Sequence, residues 1–305
     1  MNCLLTPRKI LRTTKTWSRF INTVNSDVAP PIIVEQLGAV TTIGINRPQK
    51  RNCVNKQTAQ SLKEAIVNFE NDEKSLVAVL YGVGGNFCAG YDLYDLSQIE
   101  SFPIKHDINE SGSMGPTHRF IKKPLIAAIS GYAVAGGMEL ALMCDLRVIE
   151  ETAVMGVYCR RFGVPLIDGG TVRLTAMIGL SRALDLILTG RSIDAKEAFS
   201  WGLANRIVAC GTSLGQAVHL ATSLTKFPQA CLLADRKSTY NATFKSVLDQ
   251  LIKYESEQSI HVIHQESIEG AKKFVSGIGR HGKTYNLSER DLPTWEIDQN
   301  IKHKL

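Results

Sequence analysis

The run Gly131–Val148, GYAVAGGMELALMCDLRV, follows one short apolar segment, Pro124–Ile129, and runs into a second, Leu146–Ile149, both of which read as buried strands. Its middle, Val134–Cys144, is small and apolar with Leu140 and Met143, and suits a tightly packed helix. Gly136-Gly137 stands where that helix begins. The first N–H groups of a helix have no intrahelical partners, and the helix dipole favours negative charge just beyond them. Negative charge developing on a ligand oxygen would meet that demand. Glu139 follows Gly136 by three residues, so its carboxylate lies near the atoms whose oxygen Gly136 would hold. The alternative is an acidic residue that only complements the dipole.

Working outward, Ile32–Glu35 and Val40–Asn46 flank Gly38 and predict a hairpin. Asn55–Asn71 places Leu62, Ala65, Ile66 and Phe69 at helical spacing. Leu76–Tyr81 predicts a buried strand, stopped by Gly82-Val83-Gly84-Gly85. Directly after comes FCAGYDL, Phe87–Leu93, where Ala89-Gly90 lets a ligand approach the backbone and Tyr91 offers an outward amide. A plain strand-to-helix connection is the competing reading. Residues from Tyr94 to Phe120 show no period and suit a substrate loop or lid. From about Gly170 the chain is expected to be almost wholly helical, over Ser213–Lys226, Gln229–Thr239 and Phe244–His264. Strands alternating with helices, followed by helices alone, predict an α/β core with a helical extension.

The 305 residues carry a net charge of +6, but Arg8, Lys9, Arg12, Lys15 and Arg19 hold five of these charges, so the remainder carries +1. Nucleic-acid binders concentrate basic residues on the folded domain, so this distribution argues against that class. The Ser/Thr-bearing N-terminal segment, residues 1–28, with no acidic residue before Asp27, reads as a mitochondrial transit peptide, with a basic tail of no address as the alternative. The expected compartment is the mitochondrial matrix. Seven dispersed cysteines with no C-x-x-C pair read as free thiols, and no histidine spacing suits a metal. No run of 18 apolar residues predicts a membrane span. Gly277–Thr284 spells GxxxxGKT, but charged Glu269–Ser276 precedes it where a phosphate-binding loop needs a buried strand.

Several of these segments, taken together, resemble the crotonase (enoyl-CoA hydratase/isomerase) superfamily from about Ile32 to Gly282. They are NRPQKRNCVN (Asn46–Asn55), FCAGYDL, GYAVAGGMELALMCDLRV, GVPLIDGGTVRLTAMIG (Gly163–Gly179), LTGRSIDAKEAFSWGLANRIV (Leu188–Val208) and FPQACLLADR (Phe227–Arg236). The resemblance implies a ββα spiral core over residues 29–230 and a helical C-terminal trimerisation region over 231–305. It also implies a homotrimer or hexamer and an acyl-CoA substrate, with no cofactor beyond the coenzyme A of that substrate. It puts the oxyanion hole on the amides of Tyr91 and Gly136. It puts the substrate's coenzyme A along Arg51, Cys53, Ala89, Gly90, Asp92 and Leu93. One family carboxylate falls on Glu139, while its partner's position is taken by Cys159, a thiol that is mostly neutral at pH 7. Arg160 and Arg161 would favour its thiolate if they faced it. Asp168 is the expected second acid, with N-cap of the helix starting near Gly170 as the alternative role. The implied activity is hydration of an enoyl-CoA in fatty-acid or branched-acyl catabolism. Isomerisation, another enolate reaction or a silent acyl-CoA-binding role remain open at this point.

Overall fold

The computed structural model describes residues 29–99, 111–244, 250, 252–253, 256–257, 260 and 263–278. The segment read as a transit peptide lies outside them, as does the GxxxxGKT spelling beyond Ile278. Strands β1 (Ile32–Leu37) and β2 (Val40–Ile45) pair antiparallel, turning through Gly38 at φ 64°. Strand β3 (Val77–Gly82) runs parallel to β2, followed across the sheet by β4 (Leu125–Ile129), reached through helix α2 (Leu93–Ser97) and the turns beyond it. A second, three-stranded sheet joins β5 (Tyr132–Val134), β7 (Val154–Gly156) and β8 (Ser192–Asp194). The main sheet finishes with β6 (Leu146–Glu150) and β9 (Arg206–Val208), in the order β1-β2-β3-β4-β6-β9.

The central strands read as continuous apolar runs because both faces of the parallel sheet are covered. On one face Ile43, Ile45, Ala78, Leu80 and Ala127 meet helix α1 (Lys56–Asn71), which buries Leu62, Ala65, Ile66 and Phe69 as its periodicity predicts. Asn55 caps α1, its side chain accepting the Thr58 N–H at 3.0 Å. On the other face Val40, Val77, Val79, Ile126 and Val148 meet Ala217, Leu220 and Ala221 of α7 (Ser213–Leu224). Helix α3 (Gly136–Met143) is buried at every position, which explains its lack of a polar face.

Helices α4 (Gly170–Ile178), α5 (Leu180–Thr189) and α6 (Ala195–Ser200) follow, but β8 and β9 correct the expectation of an almost wholly helical chain beyond Gly170. Each of the two strands is three residues long, too short for a period-2 pattern to show. Arg206 and Ile207 are exposed, so no apolar run marks β9 either. Helix α8 (Gln229–Phe244) docks on the core through Arg236, which lies over the rings of Phe120 and Tyr240 and donates to Asp145 Oδ1 at 2.8 Å. Most of the expected 244–264 helix falls outside the described residues. Helix α9 (Ile268–Val275) then returns over the core, and Ile263 and Ala271 pack with Leu96 and Ile167. The segment before Gly277 is thus a helix, not the buried strand that a phosphate loop requires. Among the described residues no helix is long and apolar enough to cross a membrane.

Candidate active site

The 47–54 turn and the 88–92 segment lie side by side. Ala89 N donates to Arg51 O (3.0 Å), Val54 N to Gly90 O (2.9 Å) and Asp92 N to Val54 O (2.9 Å). In a trans peptide the C=O and N–H point in opposite directions. The Gly90 carbonyl faces Val54, so the Tyr91 N–H of the same peptide faces the opposite way. At the start of α3 the Ala135 carbonyl accepts from Met138 N and Glu139 N, which turns the Gly136 N–H out of the helix end. Ala135 holds this turn at φ 53°, ψ −129°, a conformation that costs a non-glycine residue about 1–3 kcal/mol. Among the described residues neither the Tyr91 nor the Gly136 amide is given to a protein acceptor.

The two donors are close. A methyl carbon built on Gly90, at φ 98°, would stand 3.1 Å from Gly136 N and 2.9 Å from Ala135 Cβ. Both amides therefore line one cavity, of about 1430 Å³, whose wall includes Ala89, Tyr91, Gly136 and Glu139. Arg51, Cys53, Asp92, Leu93, Cys159 and Asp168 also line it, so the structure gathers the expected site residues in one place, with Gly90 forming the backbone behind them. Asp92 is pinned by Arg47 at 2.8 Å, and Arg47 also donates to Cys53 O at 2.6 Å. That pair locks the turn to the 88–92 segment that carries Tyr91.

Glu139 is 3% exposed, and its Oε1 accepts the amides of Asp168 and Gly170, both at 2.9 Å. Two main-chain donors hold the carboxylate in one orientation at the cavity wall. Asp168 does not cap α4: the capping position is Gly169, with no side-chain bond. Instead the Asp168 carboxylate accepts the Met114 amide at 3.0 Å and the hydroxyls of Ser113 and Thr117. Sequence reading had found no function for Ser113, Met114 or Thr117. Their only signal is the Gly112–Gly115 spacing in a stretch without a period. Lys50, Lys56 and Lys63 also line the cavity and carry no sequence signal, because isolated surface lysines follow no pattern; Arg161, which the sequence places beside Cys159, lines it too.

Cys159 faces the cavity beside Glu139. Burial pushes its thiol from an ordinary value of 9.0 up to about 12, and the Glu139 charge adds to this while Arg160 opposes it. Arg160 and Arg161 turn away, donating to Ile187 O and Gly190 O. The thiol is therefore neutral at physiological pH and replaces a carboxylate in space only. Because the folded thiol ionises later than the unfolded one, its contribution to stability is complete below about pH 9 and is lost as pH rises towards 12. At about pH 8 iodoacetamide is expected to alkylate exposed Cys210 and Cys231 while leaving Cys159 intact. Equal labelling of Cys159 in the folded protein, read by peptide mass spectrometry, would contradict this assignment.

A family model described as enoyl-CoA hydratase/isomerase matches residues 35–278. A probable enoyl-CoA hydratase of Mycobacterium leprae is 33% identical over 246 residues, 80% of this chain and 94% of that one. A probable mitochondrial enoyl-CoA hydratase of Dictyostelium discoideum is 29% identical, over 90% of this chain and 97% of that one. Among solved structures, a carnitinyl-CoA hydratase from Mycobacterium avium superposes with a TM-score of 0.74 at 31% identity, covering 82% of this chain and 97% of that one. The chain belongs to the enoyl-CoA hydratase/isomerase family and has the crotonase fold that its sequence resembles.

Proposed function

We propose that this protein adds water to the double bond of a 2-enoyl-CoA thioester and catalyses the reverse dehydration. The observation that carries this reading is the pair of amides, Tyr91 and Gly136, aimed into one cavity beside the fixed Glu139 carboxylate. With Cys159 neutral, Glu139 serves both proton transfers. Glu139 takes a proton from water as the oxygen bonds to C3. The C2–C3 π electrons shift into the thioester, giving an enolate whose oxygen the two amides hold. The enolate then collapses as C2 takes the proton back from Glu139. The net change is one water added, with the enzyme returned to its starting charge. Amides set in place before the charge develops are worth about 3–4 kcal/mol each at such sites.

Lys50, Arg51, Lys56 and Arg161 at the cavity suit the phosphates of coenzyme A, and the apolar side chains of Met114, Val164, Ile167 and Ile263 suit an acyl chain. The mitochondrial matrix is the proposed location, supported by the basic N-terminal segment and the mitochondrial relative. A homotrimer or hexamer is the proposed assembly. Leu180, Leu184 and Leu188, 64%, 40% and 68% exposed, form an apolar stripe on α5 that such an assembly would cover.

Incubating the protein with crotonyl-CoA in heavy water tests the activity. The expected product carries the added water and one carbon-bound deuterium, seen by mass spectrometry. Deuterium uptake without added water would assign enolate or isomerase chemistry instead. No change with any of a panel of acyl-CoAs would make the protein a silent binder.

A further inference from the structure

We propose that Asp168, Ser113 and Thr117 form a clamp that positions both Gly136 and Glu139, which makes the two hydroxyls positioning residues of the reaction. This rests on the reading of the Tyr91 and Gly136 amides as an oxyanion hole. The clamp starts from a carboxylate with 1% exposure, which has to be matched by buried donors. It receives three: the Met114 amide and the hydroxyls of Ser113 and Thr117. The approach is so close that a methyl on Gly112 would stand 2.0 Å from Asp168 Oδ1 and 2.1 Å from Thr117 Oγ1. Gly112 and Gly115 close the turn by donating to each other's carbonyls, both at 3.0 Å. Arg173 fastens the far side, donating to Asp168 O at 2.9 Å and Thr117 O at 2.6 Å.

Each end of this clamp meets a reacting group. The main-chain N–H of Asp168 donates to Glu139 Oε1. The side chain of Met114, whose amide the carboxylate holds, packs on Gly136: a methyl carbon there would fall 2.6 Å from Met114 Sδ. Moving the 112–117 turn therefore moves the support of the oxyanion donor, while moving Asp168 moves the base. The carboxylate that sequence reading assigned to acid catalysis is committed to this framework, so Asp168 acts through Gly136 and Glu139.

The test uses Ser113→Ala, Thr117→Val and Thr117→Ser in the full chain. Two readouts are taken: hydration of crotonyl-CoA, and the carbonyl stretch of bound butyryl-CoA by isotope-edited infrared difference spectroscopy. The expected result is kcat lower by about 10–10²-fold in Ser113→Ala and Thr117→Val, the scale of a small misplacement of reacting groups, with KM within about twofold. The downshift of the bound carbonyl should shrink in the same two variants, and Thr117→Ser should restore both. Rates within about twofold of wild type with an unchanged carbonyl band would overturn the clamp. So would a lowered melting temperature as the sole change. Should Thr117→Val fold poorly, Ser113→Ala decides alone, since its side chain is only partly buried. If the wild type hydrates nothing yet shifts the carbonyl, and the clamp variants abolish that shift, the hydratase reading fails while the clamp stands.

Discussion

Glu139→Gln is expected to hydrate crotonyl-CoA about 10³-fold more slowly than wild type, within the range of general acid–base groups. The substitution keeps the shape and leaves an amide oxygen to accept from Asp168 N and Gly170 N, which now bind Oε1 at 2.9 Å. It removes the one property that both proton transfers need, a carboxylate that can take and return a proton. Cys159, its thiol pushed up to about 12, offers no replacement base. Affinity for a non-reacting acyl-CoA should be retained, since the cations and both amides are untouched. Turnover within tenfold of wild type would remove Glu139 from the chemistry and assign both proton transfers to another group at the cavity.

Gly90→Ala is expected to lower kcat by about 10²–10³-fold, the cost of losing one oxyanion donor. The new methyl would be wedged 2.9 Å from Ala135 Cβ and 3.1 Å from Gly136 N, forcing apart the two backbones that carry the amides. The residue would also have to hold φ 98°, which side-chain-bearing residues avoid. The cationic side chains that line the cavity are unchanged by the substitution, so coenzyme A itself should bind with little change. Wild-type turnover by a folded Gly90→Ala protein would show that the two amides do not act together. Ala135, already at positive φ next to the same junction, has no such freedom to yield.

Much of the main sheet was legible because burial on both faces leaves long apolar runs, as in Val77–Leu80 and Leu125–Ile129. The α1 helix was legible by the period of Leu62, Ala65, Ile66 and Phe69. The short strands β8 and β9 were not, because three residues carry no period and their pairing partners lie far along the chain. Among site residues, the glycine-bearing corners at Gly90 and Gly136 showed themselves, since close backbone approach excludes side chains. The clamp of Ser113, Thr117 and Asp168 did not. Asp168 lies more than 50 residues from both hydroxyls, and a serine or threonine in an aperiodic loop looks the same whether bonded to solvent or to a buried carboxylate.

Taken alone, the amino-acid order determined the layered α/β core, the membership suggested by its motifs and the two corners where backbone donors are left over. These follow from local rules: which residues tolerate burial, which permit a turn, and which amides a helix end leaves unpaired. Tertiary structure decided what those donors face. It turned Asp168 away from capping and towards three hydroxyl and amide donors, pushed the Cys159 thiol further from ionising, and brought Glu139 under two amides from another segment. Direction and protonation depend on neighbours distant in the chain, and only packing specifies those neighbours.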